Sequence, residues 1–343
     1  MLEIAQLCQE SSDADWICTA DLLDAVALRK HGITKPLLVL SFINADPALL
    51  AQHDIDVVVY NLETIKELNA VGQRFNKQIN VHLKIDTGMS RFGIMPEQAL
   101  SFIAEIKKLP CIMLRGISTH LAEAANSEQT FTQHQLNAFE NLLGELKNNN
   151  IHIPIKHAAN TAGTTGFGTG SNNLYRLGIG LYGFWPSEAN KYVTTQKFPW
   201  FNLQPVLTWK TRILDIKVIP AGSYVGYDRT FKTNREMIIG IVPIGYYDGY
   251  DRRLSNAGTF LINPNKPGAV IEQRYARVIG RVCMNLTMLD ISGIADVQIN
   301  DEVIVMGNYP HVRPGNIAVL ANSHNTREIT TRINPTIPRI ITV

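Results

Sequence analysis

The sequence predicts an α/β chain: a (β/α)8, TIM-like barrel whose first strand is missing, followed by a mostly β C-terminal domain. Three observations predict it. From Asp15 onward, short β-rich apolar runs alternate with amphipathic segments, the pattern of parallel strands buried on both faces. The opening residues read as a helix with no strand before them. Between Lys191 and Asn202 the alternation stops, and short strands separated by turns take over.

Leu2, Ile4, Ala5 and Cys8 give the opening helix its apolar side. WICT, from Trp16 to Thr19, is the next strand; ADLLDAVALRKHG follows it, with Gly32 where a C-terminal cap is expected. PLLVLS with PALLAQHD, VVVY with NLETIKELNAVGQRF, and NVHLKID with PEQALSFIAEIKKL repeat the unit. CIMLRGISTH precedes SEQTFTQHQLNAFENLLGELKNN, for which Ser127 is the candidate N-cap. IKHAAN and YRLGIGLYGF complete seven strands, against the eight of a closed barrel. An open barrel leaves two strand edges unpaired. The aromatic and polar VTTQKFPWFNLQP, without a helical period, divides the barrel (residues 1–197) from the β domain (198–343). There VLTWKTRILDIKVIPAG, MIIGIVPIGY, TFLINP, ARVIGRVCMNLTMLDIS and DEVIVMG are strand-like, with turn chemistry at Asp215, Pro220, Gly222, Pro264, Asn265, Gly307 and Asn308.

Bulk properties narrow the function. The 343 residues suffice for two domains, and 45% apolar with 18% charged residues is an ordinary globular balance. A net charge of +2 gives no reason to expect nucleic acid or an anionic membrane, which leaves a small polar substrate. MLEIAQLCQESSDADW has no basic n-region or long apolar run, so it does not read as a signal peptide, and no stretch has the apolar length of a membrane span. Cys8, Cys18, Cys111 and Cys283 have neither metal-ligand nor redox spacing and read as reduced thiols in a cytoplasmic protein.

Barrel active sites collect at strand C-terminal ends. Polar groups recur there: Lys84 to Arg91 after one strand, His120 after the next, His157 to Gly163 after another, and Tyr175 to Ile179 on the last. Each alone reads equally as a structural hydrogen-bonder, an ion pair or a turn; four in succession point to a site. Asn160, Thr161, Gly178 and Ile179 offer donors where barrels commonly bind phosphate, and Arg176 suits a ring nitrogen, carboxylate or phosphate. The residues by themselves imply a phosphate-bearing ligand and no more.

HLKIDTGMSRFG, STHLAEA, HAANTAG, YRLGIGLYGF, VGYDRTF, VPIGYYDGYDR and GRVCMNLTMLDIS, in this order, resemble the successive signatures of the alanine racemases, from about Leu2 to Arg339. The resemblance implies a bacterial enzyme that uses pyridoxal 5′-phosphate (PLP) to interconvert L- and D-alanine for peptidoglycan. It also implies a head-to-tail homodimer whose active sites borrow residues from the other copy. Arg176 then faces the pyridine nitrogen and, unable to give up its proton, keeps the ring a weaker electron sink. His120 matches a residue that holds Arg176, and Asn160, Thr161, Gly178 and Ile179 match phosphate-binding positions. Tyr227 matches the catalytic tyrosine, with Arg91 placed to stabilise its phenolate and to meet the substrate carboxylate, and His157 placed to hydrogen-bond the same hydroxyl. Met284, beside Cys283, matches the carboxylate-binding backbone N–H; Tyr246 and Arg252 match the access channel. Lys84 matches a lysine often carbamylated, with an ordinary solvated lysine as the alternative. A serine or broad-specificity racemase, and a PLP-free family member without activity, share the same framework.

Three departures stand out. The family's PLP lysine lies in a string like K-A-N-A-Y-G-H-G at the end of the first barrel strand. No such string occurs here, and Met1-Leu2-Glu3-Ile4 aligns directly after it, in step with the absent eighth strand. The reading is a shortened racemase without its Schiff-base lysine: a shortened gene model, a truncated product, or a barrel completed by a separate piece. Asn285 and Leu286 stand where Asp and Gln or Met are frequent, and Pro335 where a tyrosine is common.

Overall fold

A computed structural model describes residues 1–166, 170–323 and 325–342. The chain divides into two units: residues 1–180 with 185–202, and residues 181–184 with 203–343.

In the first unit, helix α1 (Leu2–Glu10) precedes strand β1 (Ile17–Asp21). The apolar side read in the sequence buries Ala5 and packs Leu2 against the core. Then come α2 (Leu22–Lys30), β2 (Leu37–Phe42), α3 (Ala48–His53), β3 (Asp56–Val59), α4 (Leu62–Phe75) and β4 (Ile79–Lys84). A 3-10 turn (Pro96–Gln98), α5 (Ala99–Ile106), β5 (Ile112–Ser118), α6 (Thr130–Asn148), β6 (Ile155–His157), α7 (Thr161–Gly166) and α8 (Glu188–Lys197) follow. The strands pair in sequence order, β1 to β6, and every pair is parallel. This is the curled, helix-covered sheet of a barrel. Asp21 caps α2 by accepting from Asp24 N at 3.1 Å, Asn61 caps α4 through Thr64 N at 2.8 Å, and Gly32 takes the expected left-handed φ of 86°.

Three sequence expectations fail here, each for a local reason. The seventh strand, residues 175–184, is loop with a 3-10 turn at Ile179–Tyr182. Its glycines spend their amides elsewhere: Gly178 N and Gly180 N donate to Thr161 Oγ1 at 3.0 and 3.3 Å instead of to a ladder. Ser127 does not cap α6; Gln129 is the N-cap, and Thr130 N donates to the Glu128 carboxylate at 2.7 Å. The supposedly aperiodic VTTQK lies inside α8, which Ser187 caps by accepting from Asn190 N at 3.0 Å.

The second unit contains β7 (Trp209–Arg212), β8 (Asp215–Ile219), β9 (Tyr224–Val225), β10 (Phe231–Lys232), β11 (Met237–Val242), β12 (Thr259–Ile262), β13 (Tyr275–Val278), β14 (Thr287–Asp290), β15 (Glu302–Met306), α9 (Pro314–Leu320) and α10 (Thr326–Thr331). Seven strands form one antiparallel sheet in the order β7-β15-β12-β13-β14-β11-β8, and β9 pairs with β10. Its core runs from Trp209 and Val242 through Phe260, Leu289 and Val305 to Ile317 and Ile329. Among the described residues no helix is long and apolar enough to cross a membrane.

Candidate active site

Strand β4 sets the pattern of the first group of predicted site residues. Ile79, Val81, Leu83 and Ile85 alternate as fully buried apolar residues, so Asn80, His82 and Lys84 occupy the other face of the strand. Beyond Lys84 the chain makes a tight loop. Asp86 Oδ1 accepts from Gly88 N at 2.9 Å and Ser90 N at 3.0 Å, while Asp86 N and Ile94 N bond back to Ile94 O and Lys84 O at 2.8 and 3.0 Å. Gly93 (φ 129°) is required, because a Cβ would stand 2.6 Å from Asp86 N. The loop presents Arg91 exposed at its tip.

Burial, then the nearby positive charges of Arg176 and Arg91, hold the Lys84 amine well below the ordinary lysine range, against the pull of Asp86. Lys84, Arg91 and Arg176 therefore share one cationic region.

Arg176 is buried, 9% exposed, and its backbone N donates to Ala159 O at 3.1 Å. Its NH1 donates to His157 Nδ1 at 2.7 Å; its NH2 donates to Ala158 O at 2.9 Å, Thr119 O at 3.0 Å and His120 Nδ1 at 3.3 Å. No carboxylate lies within ion-pair distance of it among the described residues. Burial pushes this guanidinium down to about 10, still charged at neutral pH. It also pushes the Cys18 thiol, which feels the Arg176 charge, up to about 11. Asn160 Oδ1 accepts from Gly163 N at 3.0 Å, and the Thr161 hydroxyl pins Gly178 and Gly180. Asn160, Thr161, Gly178 and Ile179 thus form one patch.

The placement of His157 corrects the sequence reading. The ring is fully buried, with Nδ1 on Arg176 and Nε2 2.9 Å from His82 Nδ1. Both nitrogens are engaged inside the barrel, so none remains for a tyrosine hydroxyl; His157 holds Arg176, as His120 does.

A second group of predicted site residues lies in the second unit. Tyr227 begins a 3-10 turn (Tyr227–Arg229) and is 67% exposed. Gly226, Asp228 and Arg229 have φ of 70°, 60° and 52°, a cluster of left-handed residues that costs free energy and holds the phenol outward. Asp228 is fixed by Arg281 at 3.3 Å and Arg252 at 3.6 Å. A cavity of about 720 Å³ is lined by Tyr227, Tyr246, Arg252, Cys283, Met284 and Arg332, among others. The turn carrying Met284 closes through Cys283 N to Leu286 O at 2.9 Å. It receives Tyr246 N and Tyr247 N on its Cys283 and Met284 carbonyls, each at 3.0 Å. A Cβ at Gly245 would stand 2.3 Å from both carbonyls, so that glycine allows the close approach. Met284 N–H donates to no protein acceptor among the described residues. Burial raises the Cys283 thiol pKa despite Arg252, so it stays protonated.

Sequence reasoning missed Asp228, Arg281 and Arg332, and also His82, Asp56 and Arg115 inside the barrel. For His82 a signal existed: the polar-apolar alternation of Asn80, His82 and Lys84 within a strand read as uniformly buried.

Residues 1–186 match the family described as alanine racemase, N-terminal domain, and residues 206–341 match alanine racemase, C-terminal domain. The chain is 34% identical over 308 residues to an alanine racemase of Methanococcus maripaludis, covering 89% of this chain and 78% of that one. It is 35% identical to an alanine racemase of Clostridium tetani, covering 99% of this chain and 84% of that one. Among solved structures, an alanine racemase of Clostridium difficile superposes with a TM-score of 0.84 at 30% identity, covering 96% of this chain and 82% of that one.

Proposed function

Because the chain belongs to the alanine racemase family, we propose that it is a PLP-dependent racemase acting on alanine and supplying D-alanine for peptidoglycan. The observation that carries this reading is Arg176, a buried guanidinium held, among the described residues, by His157, His120 and the carbonyls of Thr119 and Ala158, with no carboxylate in ion-pair distance. Such a group suits a ring nitrogen that accepts a hydrogen bond without taking the proton. In this reading Arg176 holds the pyridine end of PLP, His120 and His157 steady Arg176, and Asn160, Thr161, Gly178 and Ile179 hold the phosphate. PLP, when bound, supplies the electron sink that makes the alanine α-proton acidic.

Tyr227 moves that proton on one face: its phenol oxygen takes it from L- or D-alanine or returns it. An ordinary phenol keeps its proton at neutral pH. Arg91 of a second copy provides the cation that stabilises the phenolate, which makes a homodimer with shared sites the working assembly. Met284 N–H receives the substrate carboxylate, with Cys283 beside it, and Tyr246 and Arg252 line the approach. Burial and the charges of Arg176 and Arg91 lower the Lys84 amine pKa, which favours reaction of the amine with carbon dioxide; a carbamate there would place an anion beside Arg91 that orients it.

Inversion needs a second acid–base on the opposite face. The family's PLP lysine has that role, and no string like K-A-N-A-Y-G-H-G occurs in residues 1–343. The half of that chemistry assigned to residues of this sequence is PLP binding and α-proton exchange on the face that Tyr227 serves. The test supplies PLP and alanine in deuterated water. Deuterium at the α-carbon that depends on Tyr227 supports the reading. Failure to bind PLP at all sinks it in favour of a PLP-free family member, and faster exchange of serine shifts the substrate.

A further inference from the structure

Inside the first unit a chain of buried polar groups runs away from Arg176. His157 Nε2 lies 2.9 Å from His82 Nδ1, and His82 Nε2 faces Asp56 Oδ2 at 3.4 Å. His82 and His157 are fully buried and Asp56 is 4% exposed. Asp56 Oδ1 accepts from Asn80 Nδ2 at 3.0 Å and Oδ2 from Arg115 NH1 at 3.1 Å. The backbone is shaped around this row. The β4–β5 register runs Val81 with Leu114 and then His82 with Gly116, so Arg115 is the extra residue of a bulge, re-aimed at Asp56. Gly116 leaves room for the imidazole, because a Cβ there would stand 2.2 Å from His82 Nδ1. Trp16 closes the far end, edge-on to His82 at 5.7 Å and under the Arg115 guanidinium at 4.6 Å.

The proton positions along this row follow from its two ends. Arg176 donates only, so His157 Nδ1 must accept. His157 then carries its proton on Nε2 and donates to His82 Nδ1, which leaves the His82 proton on Nε2, facing a carboxylate that only accepts. This arrangement satisfies the Arg176–His157 and His157–His82 hydrogen bonds and turns the His82 Nε2–H toward Asp56 Oδ2, 3.4 Å away and outside hydrogen-bond geometry. We propose that Asp56 and His82 are positioning residues that lock both imidazoles as neutral Nε2–H tautomers and thereby hold Arg176 in its binding pose. Were His82 to carry its proton on Nδ1 instead, His157 would have to present an N–H toward Arg176, donor against donor. The row stands independently of the cofactor; only its effect on PLP rests on the reading that Arg176 meets the ring.

The experiment is long-range proton–nitrogen NMR on the chain labelled with 15N-histidine, without PLP, at neutral pH. His82→Gln and His157→Gln assign the signals. Both rings are expected with bare Nδ1 and protonated Nε2; a protonated Nδ1 on either ring in the parent chain overturns the proposal, whatever any variant does. Asp56→Asn is expected to leave His82 in mixed tautomers and to weaken PLP binding about tenfold. A merely structural Asp56 would lower the unfolding midpoint while the folded fraction kept the parent tautomers and PLP affinity, which also overturns it. If the tautomers are as expected but Arg176→Gln binds PLP like the parent, the row is upheld and the cofactor reading fails.

Discussion

Replacing Arg176 by Met sets two opposing terms against each other, and their sizes decide the outcome. Burial lowers the guanidinium to about 10, more than two units below its ordinary range. At about 1.4 kcal/mol per tenfold change in protonation, keeping it charged costs about 3 kcal/mol at neutral pH, which an uncharged side chain recovers. Against this, Met leaves His157 Nδ1, Thr119 O and Ala158 O without their donor, all on residues that are fully buried. Each orphaned acceptor costs about 1–3 kcal/mol, about 6 kcal/mol for the three. The loss wins by about 3 kcal/mol. At about 2–4 °C per kcal/mol for a unit of this size, the unfolding midpoint falls by about 6–12 °C. Scanning calorimetry of the parent and Arg176→Met, compared through the transition of the first unit, reads this directly. A variant as stable as the parent would show that the acceptors have other donors, and the account of Arg176 as the organiser of these strand ends would be wrong.

Tyr227→Phe removes the proposed acid–base without touching a packed side chain, so α-proton exchange of alanine with PLP supplied should drop about 10²–10⁴-fold at unchanged melting temperature. An exchange rate within twofold of the parent would clear Tyr227 of that role. Gly245→Ala forces a Cβ against the Cys283 and Met284 carbonyls, shifting the turn that offers Met284 N–H. We expect up to about 10²-fold weaker use of alanine with PLP affinity retained, since the PLP-binding residues lie elsewhere in the chain; equal loss of both would contradict the division of labour. For Lys84 the sign is fixed by its lowered pKa. The folded state binds this proton less readily than the unfolded chain, so stability rises as pH climbs from the folded value toward the ordinary 10.5, and the penalty is fully present below that window. Lys84→Met in carbon dioxide-free buffer should therefore be more stable than the parent at neutral pH and show a shallower rise in alkali. The parent chain in bicarbonate should gain the mass of one carbon dioxide, and the variant should not.

The six described barrel strands and most helices were legible because their apolar patterns are strong and their caps explicit, as at Asp21, Asn61 and Gly32. The seventh strand was not, because YRLGIGLYGF is apolar enough to pass for a strand while its glycine amides bond to the Thr161 side chain. Periodicity reports which face is buried and carries no information about where an amide donates. The same limit explains the site. Motifs located Arg176, Asn160 and Thr161, yet they could not separate the two histidines, since one ring nitrogen pointing inward or outward leaves no trace in composition. His157 became a holder of Arg176 only once both of its nitrogens had partners. Asp56 and Arg115 were less visible still: Asp56 sits in a four-residue buried strand, and Arg115 is re-aimed by a bulge that no pattern encodes.

A closed barrel fills its interior with branched apolar side chains. The six-stranded curled sheet here places Asp56, Asn80, His82 and His157 on its inner face, and sets Lys84 and Arg176 at the end where Arg91 is exposed. Buried polar rows are costly unless every member is satisfied, and replacement by apolar residues is often neutral or stabilising. Stability alone thus gives no reason for the arrangement. The imbalance of charge supplies one. Asp56 lies among Arg115, Asn80 and His82, whereas Asp86 is the one carboxylate acting on Lys84 beside Arg91 and Arg176 among the described residues. Burial first, and then the charges of Arg176 and Arg91, lower the amine of Lys84 against the pull of Asp86. In the proposed reading, the phosphate of PLP and the carboxylate of an amino acid would be the anions that answer this positive charge.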